Sequence, residues 1–172
     1  MRSRTTPVRS WYLDIQLLDE YWGGTHSYHH TSSSALNYSL LEALILVHEE
    51  GIQHRFARHL KNHHALVAGI EAMGLQMHVA AEYRLPMLNT IRIPEGVDDA
   101  ALRRYLLGNF NLEIGGGLGA LKDKVWRVGL MGYSSSPEKI LFLLSALNVA
   151  LAAQGTKTDL VEGQSAAMQV LQ

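Results

Sequence analysis

Residues 111–132 read N-L-E-I-G-G-G-L-G-A-L-K-D-K-V-W-R-V-G-L-M-G, and this stretch is the most informative part of the chain. It contains two strand-like runs, residues 111–115 and 124–130, joined by a glycine-rich loop. The second run carries Arg127 between a tryptophan and a valine. A charged side chain in an apolar strand is costly to bury unless a partner compensates it. Arg127 is therefore expected to bind an anionic group.

The sequence offers two kinds of partner for Arg127. One is the carboxylate of a small substrate, because a guanidinium binds a carboxylate in a planar, two-pronged geometry. The other is Glu113, which would lie across the hairpin and make Arg127 a structural residue. The residues alone leave both interpretations open.

The sequence around this stretch predicts an α+β fold. Apolar residues at helical spacing and cap signals predict helices over 11–22, 36–50, 52–73, 98–109 and 137–154, and further strands are predicted over 75–79 and 87–93. Hairpin-length links favour a short, mainly antiparallel sheet with helices packed on one side. A long linking helix precedes this domain. The polar, weakly patterned residues 156–172 are predicted to form a disordered tail.

The composition of the chain excludes several classes of function. The 172 residues suffice for one domain with a hydrophobic core, and the net charge of −1 argues against binding to nucleic acid or an anionic membrane surface. The absence of cysteine excludes disulfides and thiolate catalysis. No apolar run is long enough for a transmembrane helix, and the basic N-terminus lacks the apolar segment of a secretory signal. A cytoplasmic location is therefore expected.

Tyr28-His29-His30-Thr31 forms a polar motif just before a predicted helix. Paired histidines invite a metal-binding interpretation with His26 as a third ligand. A second interpretation is a loop that is hydrogen-bonded to its own backbone. A third uses the hydroxyls of Tyr28 and Thr31, which suit phosphate oxygens near a helix N-terminus.

Two further motifs are weaker. His59 and His63 have the i, i+4 spacing of a helical metal pair, but the acid expected between them is missing, so a solvated basic face with Arg55 and Arg58 is favoured. No metal site is therefore predicted. Residues 115–120 fit G-x-G-x-x-A, but a dinucleotide fingerprint requires a helix after the loop, and here another strand follows. The loop is expected to be a tight connection with close backbone approach.

Six segments together resemble the alanine–glyoxylate / serine–pyruvate aminotransferases, which are class V, fold-type I enzymes dependent on pyridoxal 5'-phosphate. The segments are Y-L-D-I (12–15), Y-H-H-T (28–31), Y-S-L-L-E-A-L (38–44), Y-R-L-P (83–86), E-I-G-G-G-L-G (113–119) and K-V-W-R-V-G-L-M-G (124–132). The resemblance covers residues 5 to about 154.

The resemblance implies roles for three residues. Arg127 matches the arginine that binds the α-carboxylate of the substrate. Tyr28 and Thr31 match residues that reach across a homodimer interface to the cofactor phosphate of the neighbouring subunit. The implied partners are small amino acids and 2-oxo acids. A serine run, Ser32-Ser33-Ser34, stands where the family pattern has a proline, so the shape of this loop is expected to differ.

The resemblance also implies what this chain lacks. Family members are longer, and their N-terminal part carries the lysine that forms the Schiff base; none of the five lysines here lies in a matching context. We expect residues 1–35 to end the large cofactor-binding domain, 36–73 to form linking helices and 74–155 to form the small C-terminal domain. The chain alone is expected to be an inactive C-terminal portion. The alternative is a non-catalytic dimerisation or assembly fragment from a split or truncated gene.

Overall fold

The computed structural model describes residues 4–24 and 26–172. The chain divides into two compact units, Met1–Glu49 and Glu50–Gln172. Residues 1–3 and Thr25, which belong to the predicted N-terminal segments, lie outside the described residues.

The N-terminal unit contains α1 (Ile15–Trp22) and most of α2 (Ser34–Glu50). The side chain of Asp14 accepts a hydrogen bond from the backbone N–H of Gln16 at 3.0 Å, so α1 begins four residues later than the helix predicted over 11–22. No residue of α2 is buried.

The C-terminal unit holds four helices: α3 (Ile52–Ala72), α4 (Asp99–Phe110), α5 (Pro137–Ala152) and α6 (Leu160–Leu171). Gly51 separates α2 from α3 with a φ of +79°, a conformation that glycine adopts without strain. Asp98 caps α4, as its position predicted, by accepting from the N–H of Ala101 at 2.9 Å. Over the described ranges, no helix has the length and apolar character needed to cross a membrane.

The sheet is short and antiparallel, as predicted. It contains β1 (Leu88–Arg92), β2 (Gly115–Gly116) and β3 (Val125–Gly129) in the order β1-β3-β2. Residues 75–79, predicted as a strand, contribute only an isolated bridge from Met77 to Ile91. The strand predicted over 111–115 is reduced to β2, because Asn111 adopts a left-handed conformation that ends α4.

One face of the sheet is buried in the core. Ile91, Trp126 and Val128 alternate along β1 and β3 and are at most 5% exposed. They belong to a cluster that includes Leu66 of α3 and Leu144 of α5, both fully buried. The helices supply most of the other apolar side chains of this cluster, which is the arrangement expected for helices packed on one side of a sheet.

The structure of the C-terminal segment differs from the sequence prediction. Residues 156–172 were expected to be a disordered tail, but Leu160–Leu171 form α6, which packs on α3. Asp159 caps the helix, and Ala167 is fully buried. Gly163 lies against Gly69, so the two helices approach each other through backbone rather than side chains. Such a small-residue contact has little hydrophobic signal in the sequence, which explains the wrong prediction.

Candidate functional site

Arg127 lies in the central strand of the sheet, between Thr90 of β1 and Gly115 of β2 in the strand register. Its side chain is half-buried. The Nε–H group donates a hydrogen bond to the carbonyl oxygen of Gly116 at 2.7 Å. This bond uses one edge of the guanidinium and leaves other N–H groups for a ligand.

The structure does not form the Arg127–Glu113 pair that the sequence left open. Among the described residues, no carboxylate lies within the 4.0 Å of Arg127 that defines an ion pair, and Glu113 is exposed. Within the same residues, the Nη groups of Arg127 have no hydrogen-bond partner. The arginine is thus a half-buried cation without an internal counter-charge, which is suited to an anionic ligand.

The diglycine of β2 lies directly beside the guanidinium. A Cβ atom added at Gly115 would lie 3.3 Å from Nη2 of Arg127 and 3.5 Å from its Nε. A side chain at this position would therefore push the guanidinium by a few tenths of an ångström. The sequence prediction of close backbone approach at the glycine-rich loop is confirmed here, with Arg127 as the neighbour.

A second arginine lies against the other glycine of the pair. A Cβ atom added at Gly116 would lie 3.3 Å from Oδ2 of Asp99 and 3.4 Å from Nε of Arg103. Arg103 pairs with Asp99 through two bonds, Nε to Oδ1 at 2.9 Å and Nη2 to Oδ2 at 2.8 Å. Trp126 donates its indole N–H to Oδ1 of Asp99 at 3.0 Å. The only sequence signal of this network is the i, i+4 spacing of Asp99 and Arg103, and the network was not predicted.

Tyr28 and Thr31 lie in the N-terminal unit, just before α2. The Tyr28 hydroxyl and Thr31 Oγ1 are 2.8 Å apart, and Tyr28 is 70% exposed. The ring of Tyr21 packs edge-on against Tyr28 with 5.9 Å between centroids. Two neighbouring exposed hydroxyls, held near the start of a helix, can exchange the bond between them for bonds to oxygens of one phosphate group.

The histidines between them have a different role. His29 is buried, stacks on Trp11 with 4.1 Å between ring centroids, and places Nε2 2.9 Å from the Trp11 carbonyl oxygen. Since a carbonyl only accepts, Nε2 carries the hydrogen, and Nδ1 accepts from Nδ1 of His30 at 2.8 Å. Both ring nitrogens are therefore used within the loop. In the part of the chain that the structure describes, no group of three or more His, Cys, Asp or Glu residues could hold a metal ion.

The prediction made for the two histidines of α3 is wrong. His59 and His63 were expected on a solvated basic face, but both are buried. His59 places Nδ1 2.7 Å from the Arg55 carbonyl oxygen and accepts the Gly132 N–H on Nε2 at 3.0 Å. His63 places Nδ1 2.7 Å from Oδ1 of Asn89. Burial lowers the pKa of His63, since desolvation disfavours its charged form.

Arg58 is also structural. It donates from Nη1 to the carbonyl oxygens of Gly132 at 3.1 Å and Ser135 at 2.6 Å, and from Nε to Oε1 of Glu50 at 2.5 Å. The hydrogen bond from Arg58 lowers the pKa of the Glu50 carboxyl group. Together with His59, Arg58 fixes both polar backbone groups of Gly132, just after the strand that carries Arg127.

Comparison with known proteins gives a consistent result. No protein-family model matches the chain. It is 37% identical over 168 residues to the (S)-ureidoglycine–glyoxylate transaminase of Bacillus subtilis and 42% identical over 166 residues to the alanine–glyoxylate aminotransferase of Drosophila melanogaster. These alignments cover 98% and 93% of this chain, but 40% and 42% of the relatives. The chain thus spans about two fifths of the length of these curated relatives.

A solved structure agrees with the sequence matches. The crystal structure of the ureidoglycine–glyoxylate aminotransferase from Bacillus subtilis superposes with a TM-score of 0.92 at 36% identity. The superposition covers 99% of this chain and 44% of that protein. The resemblance found in the sequence motifs is therefore confirmed in both sequence and fold.

Proposed function

We propose that this chain, which belongs by homology to the class V family of alanine–glyoxylate and ureidoglycine–glyoxylate aminotransferases, contributes the substrate-carboxylate side of a transaminase active site. The reaction proposed is reversible transfer of an amino group from alanine or serine to glyoxylate or pyruvate. The observation that carries this proposal is the guanidinium of Arg127, which is half-buried without a counter-charge among the described residues.

Arg127 binds and orients the substrate in this proposal. Its Nε–H remains on the Gly116 carbonyl oxygen, and the free Nη groups grip the α-carboxylate of the amino acid or 2-oxo acid. A carboxylate held in this way restricts how the reacting carbon is presented, which lowers the entropic part of the barrier. The diglycine of β2 lets the guanidinium lie close to the strand, because a side chain at Gly115 would meet it.

Tyr28 and Thr31 fit the cofactor of this family. Their hydroxyls lie outside the core and are hydrogen-bonded to each other at 2.8 Å, and each can donate its one hydrogen to a phosphate oxygen when this bond opens. We propose that they hold the phosphate of pyridoxal 5'-phosphate in the neighbouring subunit of a homodimer. When bound, the cofactor supplies an electron-withdrawing ring that stabilises charge developing on the substrate.

The proposal includes inactivity of the chain on its own. Attachment of the cofactor requires a lysine, and a lysine that acts in this way has its pKa shifted by desolvation or a neighbouring cation. Four of the five lysines are exposed, and the fifth, Lys139, donates to the Tyr133 carbonyl oxygen at 3.0 Å. We expect no turnover of alanine and glyoxylate by the purified 172-residue chain with added cofactor; measurable turnover would contradict this part.

The carboxylate role can be tested on the chain itself. We expect pyruvate to shift backbone amide resonances of β2 and β3 saturably in NMR titrations of wild-type protein, and the same resonances give the affinity of each variant. Arg127→Lys should weaken binding about tenfold or more, because Lys lacks the two-pronged geometry. Arg92→Gln is the matched control, since Arg92 is an exposed arginine of the neighbouring strand β1. Equal pyruvate affinity in the Arg127→Lys and wild-type proteins would contradict the proposed role.

A further inference from the structure

We propose that Asp99 and Arg103 are positioning residues for Arg127, and that they act through the peptide of Gly116. The inference rests on the proposed function, in which Arg127 binds the substrate carboxylate. It explains how the guanidinium of Arg127 is held in place next to β2, a strand made of two glycines.

The need for support follows from the composition of β2. The strand is only Gly115–Gly116, and glycine backbone has more conformational freedom than any other residue. The carbonyl oxygen of Gly116 nevertheless accepts the Nε–H of Arg127 at 2.7 Å. If the Gly116 carbonyl oxygen moved, the guanidinium group bonded to it would move as well. The Gly116 peptide must therefore be held by its surroundings.

Arg103 supplies that support. A Cβ atom at Gly116 would lie 3.4 Å from Nε and 3.5 Å from Cζ of Arg103, which is van der Waals contact, so the guanidinium group lies on the side of Gly116 to which a side chain would project. On the neighbouring residue, a Cβ atom at Gly115 would meet Arg127 instead. Successive residues of a strand point to opposite faces, so the diglycine lies between two guanidinium groups, one on each side.

Asp99 fixes the plane of Arg103. Two parallel bonds, Nε to Oδ1 at 2.9 Å and Nη2 to Oδ2 at 2.8 Å, prevent the guanidinium from rotating. The carboxylate is itself immobile, because it is buried and accepts the indole N–H of the fully buried Trp126 at 3.0 Å. The chain of contacts therefore runs from the core through Asp99, Arg103 and Gly116 to Arg127.

The charges also fit a supporting role. Asp99 neutralises Arg103, so Arg103 supports the strand without placing a second uncompensated cation beside Arg127. An unpaired Arg103 would repel Arg127 or compete with it for the carboxylate. Pairing keeps one free guanidinium on the substrate side of the diglycine.

The test measures the geometry of Arg127 directly in the full 172-residue chain. Hydrogen exchange of the Arg127 Nε–H reports the bond to Gly116, and exchange of the Leu144 backbone N–H in α5 reports the integrity of the core. Pyruvate affinity is measured from the shifts of the β2 and β3 backbone amide resonances. The variants are Arg103→Gln, Arg103→Lys and Asp99→Asn, and Arg104→Gln is the matched control because Arg104 is the exposed neighbour on α4.

We expect Arg103→Gln and Arg103→Lys to raise the Nε–H exchange rate about tenfold, the effect of losing one interaction of hydrogen-bond strength. Exchange of the Leu144 backbone N–H should be unchanged in these variants, and the Arg104→Gln variant should exchange its Arg127 Nε–H at the wild-type rate. Arg103→Lys keeps the charge but lacks the planar fork, so it separates positioning from electrostatics. Asp99→Asn should act in the same direction, and each of these three changes should weaken pyruvate binding about fivefold to tenfold.

Wild-type exchange of Arg127 in both Arg103 variants would overturn the proposal. If Arg103→Gln unfolds the chain, seen as loss of protection at the Leu144 backbone N–H, the Arg103→Lys result decides. Failure of wild-type protein to bind pyruvate would contradict the proposed function instead. The exchange comparison would still decide whether Asp99 and Arg103 position Arg127.

Discussion

The two units of this chain differ in how far their own residues bury their apolar side chains. In the C-terminal unit, a continuous cluster of buried side chains joins the sheet to α3–α6. In the described part of the N-terminal unit, His29 is the one buried residue, and α2 exposes seven large apolar or aromatic side chains: Leu36, Tyr38, Leu40, Leu41, Leu44, Ile45 and Leu46.

This difference shows that the apolar side chains of a helix can be either buried within their own unit or exposed on its surface. In α5, the apolar stripe is covered by other parts of the same unit, so the sequence encodes both the surface and its cover. In α2, the apolar residues form an exposed patch of the kind that marks an interaction surface. The proposed homodimer, with its contacts between subunits, is consistent with such a surface.

The largest expected effect is a difference in stability between two leucine substitutions, one in each unit. Leu144 of α5 is fully buried, whereas Leu44 of α2 is 57% exposed. Leu144→Ala should lower the free energy of unfolding by about 2–5 kcal/mol, because it leaves a cavity. Leu44→Ala should change it by less than about 0.5 kcal/mol. Urea denaturation at low protein concentration measures both.

If the two leucine substitutions lowered the free energy of unfolding by similar amounts, α2 would be covered in solution. In that case the cost of Leu44→Ala should depend on protein concentration, because self-association would supply the cover. A concentration-independent cost would contradict the contrast between the units.

A smaller effect is expected at the contact between α3 and α6. A Cβ atom at Gly163 would lie 2.4 Å from Cγ of Met73 and 3.0 Å from the carbonyl oxygen of Gly69. Gly163→Ala should therefore destabilise the C-terminal unit by about 1–3 kcal/mol through overpacking. The control is Gly108→Ala in α4, where nothing lies within 4 Å and alanine should be neutral or stabilising by up to about 1 kcal/mol.

Thermal or urea unfolding of the two glycine variants distinguishes packing from helix propensity. If Gly163→Ala were as stable as Gly108→Ala, α6 would not pack closely on α3. The second unit would then resemble the first more than the structure indicates.

The smallest effect is expected from the pH dependence of stability. Burial lowers the pKa of His63 in the folded state, so the unfolded chain binds a proton more readily. The contribution of neutral His63 to the free energy of unfolding is present above about pH 6.5, the ordinary pKa of histidine. It is lost as the pH falls below this value, with a slope of at most about 1.4 kcal/mol per pH unit. The stability advantage of wild-type protein over His63→Gln should therefore shrink on acidification.

Urea unfolding between pH 7.5 and 5 measures this change, and His64→Gln is the matched control because His64 is exposed. A constant difference between wild type and His63→Gln over this range would contradict the linkage. A change of the same size in His64→Gln would assign the effect to net charge rather than burial.

Local chemistry made much of the fold predictable. Asp98, Gly51 and Gly74 mark helix boundaries through capping or positive φ, and both effects depend only on neighbouring residues. The α6 helix was missed because its position is set by a backbone contact with Gly69, which is distant in sequence. The buried state of His59 was missed for the same reason, since its partner is the N–H of Gly132.

The candidate site was predictable to a similar degree. Arg127 stood out because it is a charge in an apolar strand, and the exposed position of Glu113 removes the internal alternative. The roles of Arg127, Tyr28 and Thr31 remain predictions that the proposed experiments test. Asp99 and Arg103 could not be placed against Gly116 from sequence, because the register of a two-residue strand leaves almost no pattern to read.

The contact between α3 and α6 also constrains the order of events during synthesis. Gly69 emerges from the ribosome long before Gly163, yet the two residues touch in the finished unit. Until residues 160–171 are made, the side of α3 that contains Gly69 and Met73 lacks its cover. The C-terminal unit therefore completes its fold only late in translation, and nascent chains paused before residue 160 are expected to be clients of chaperones.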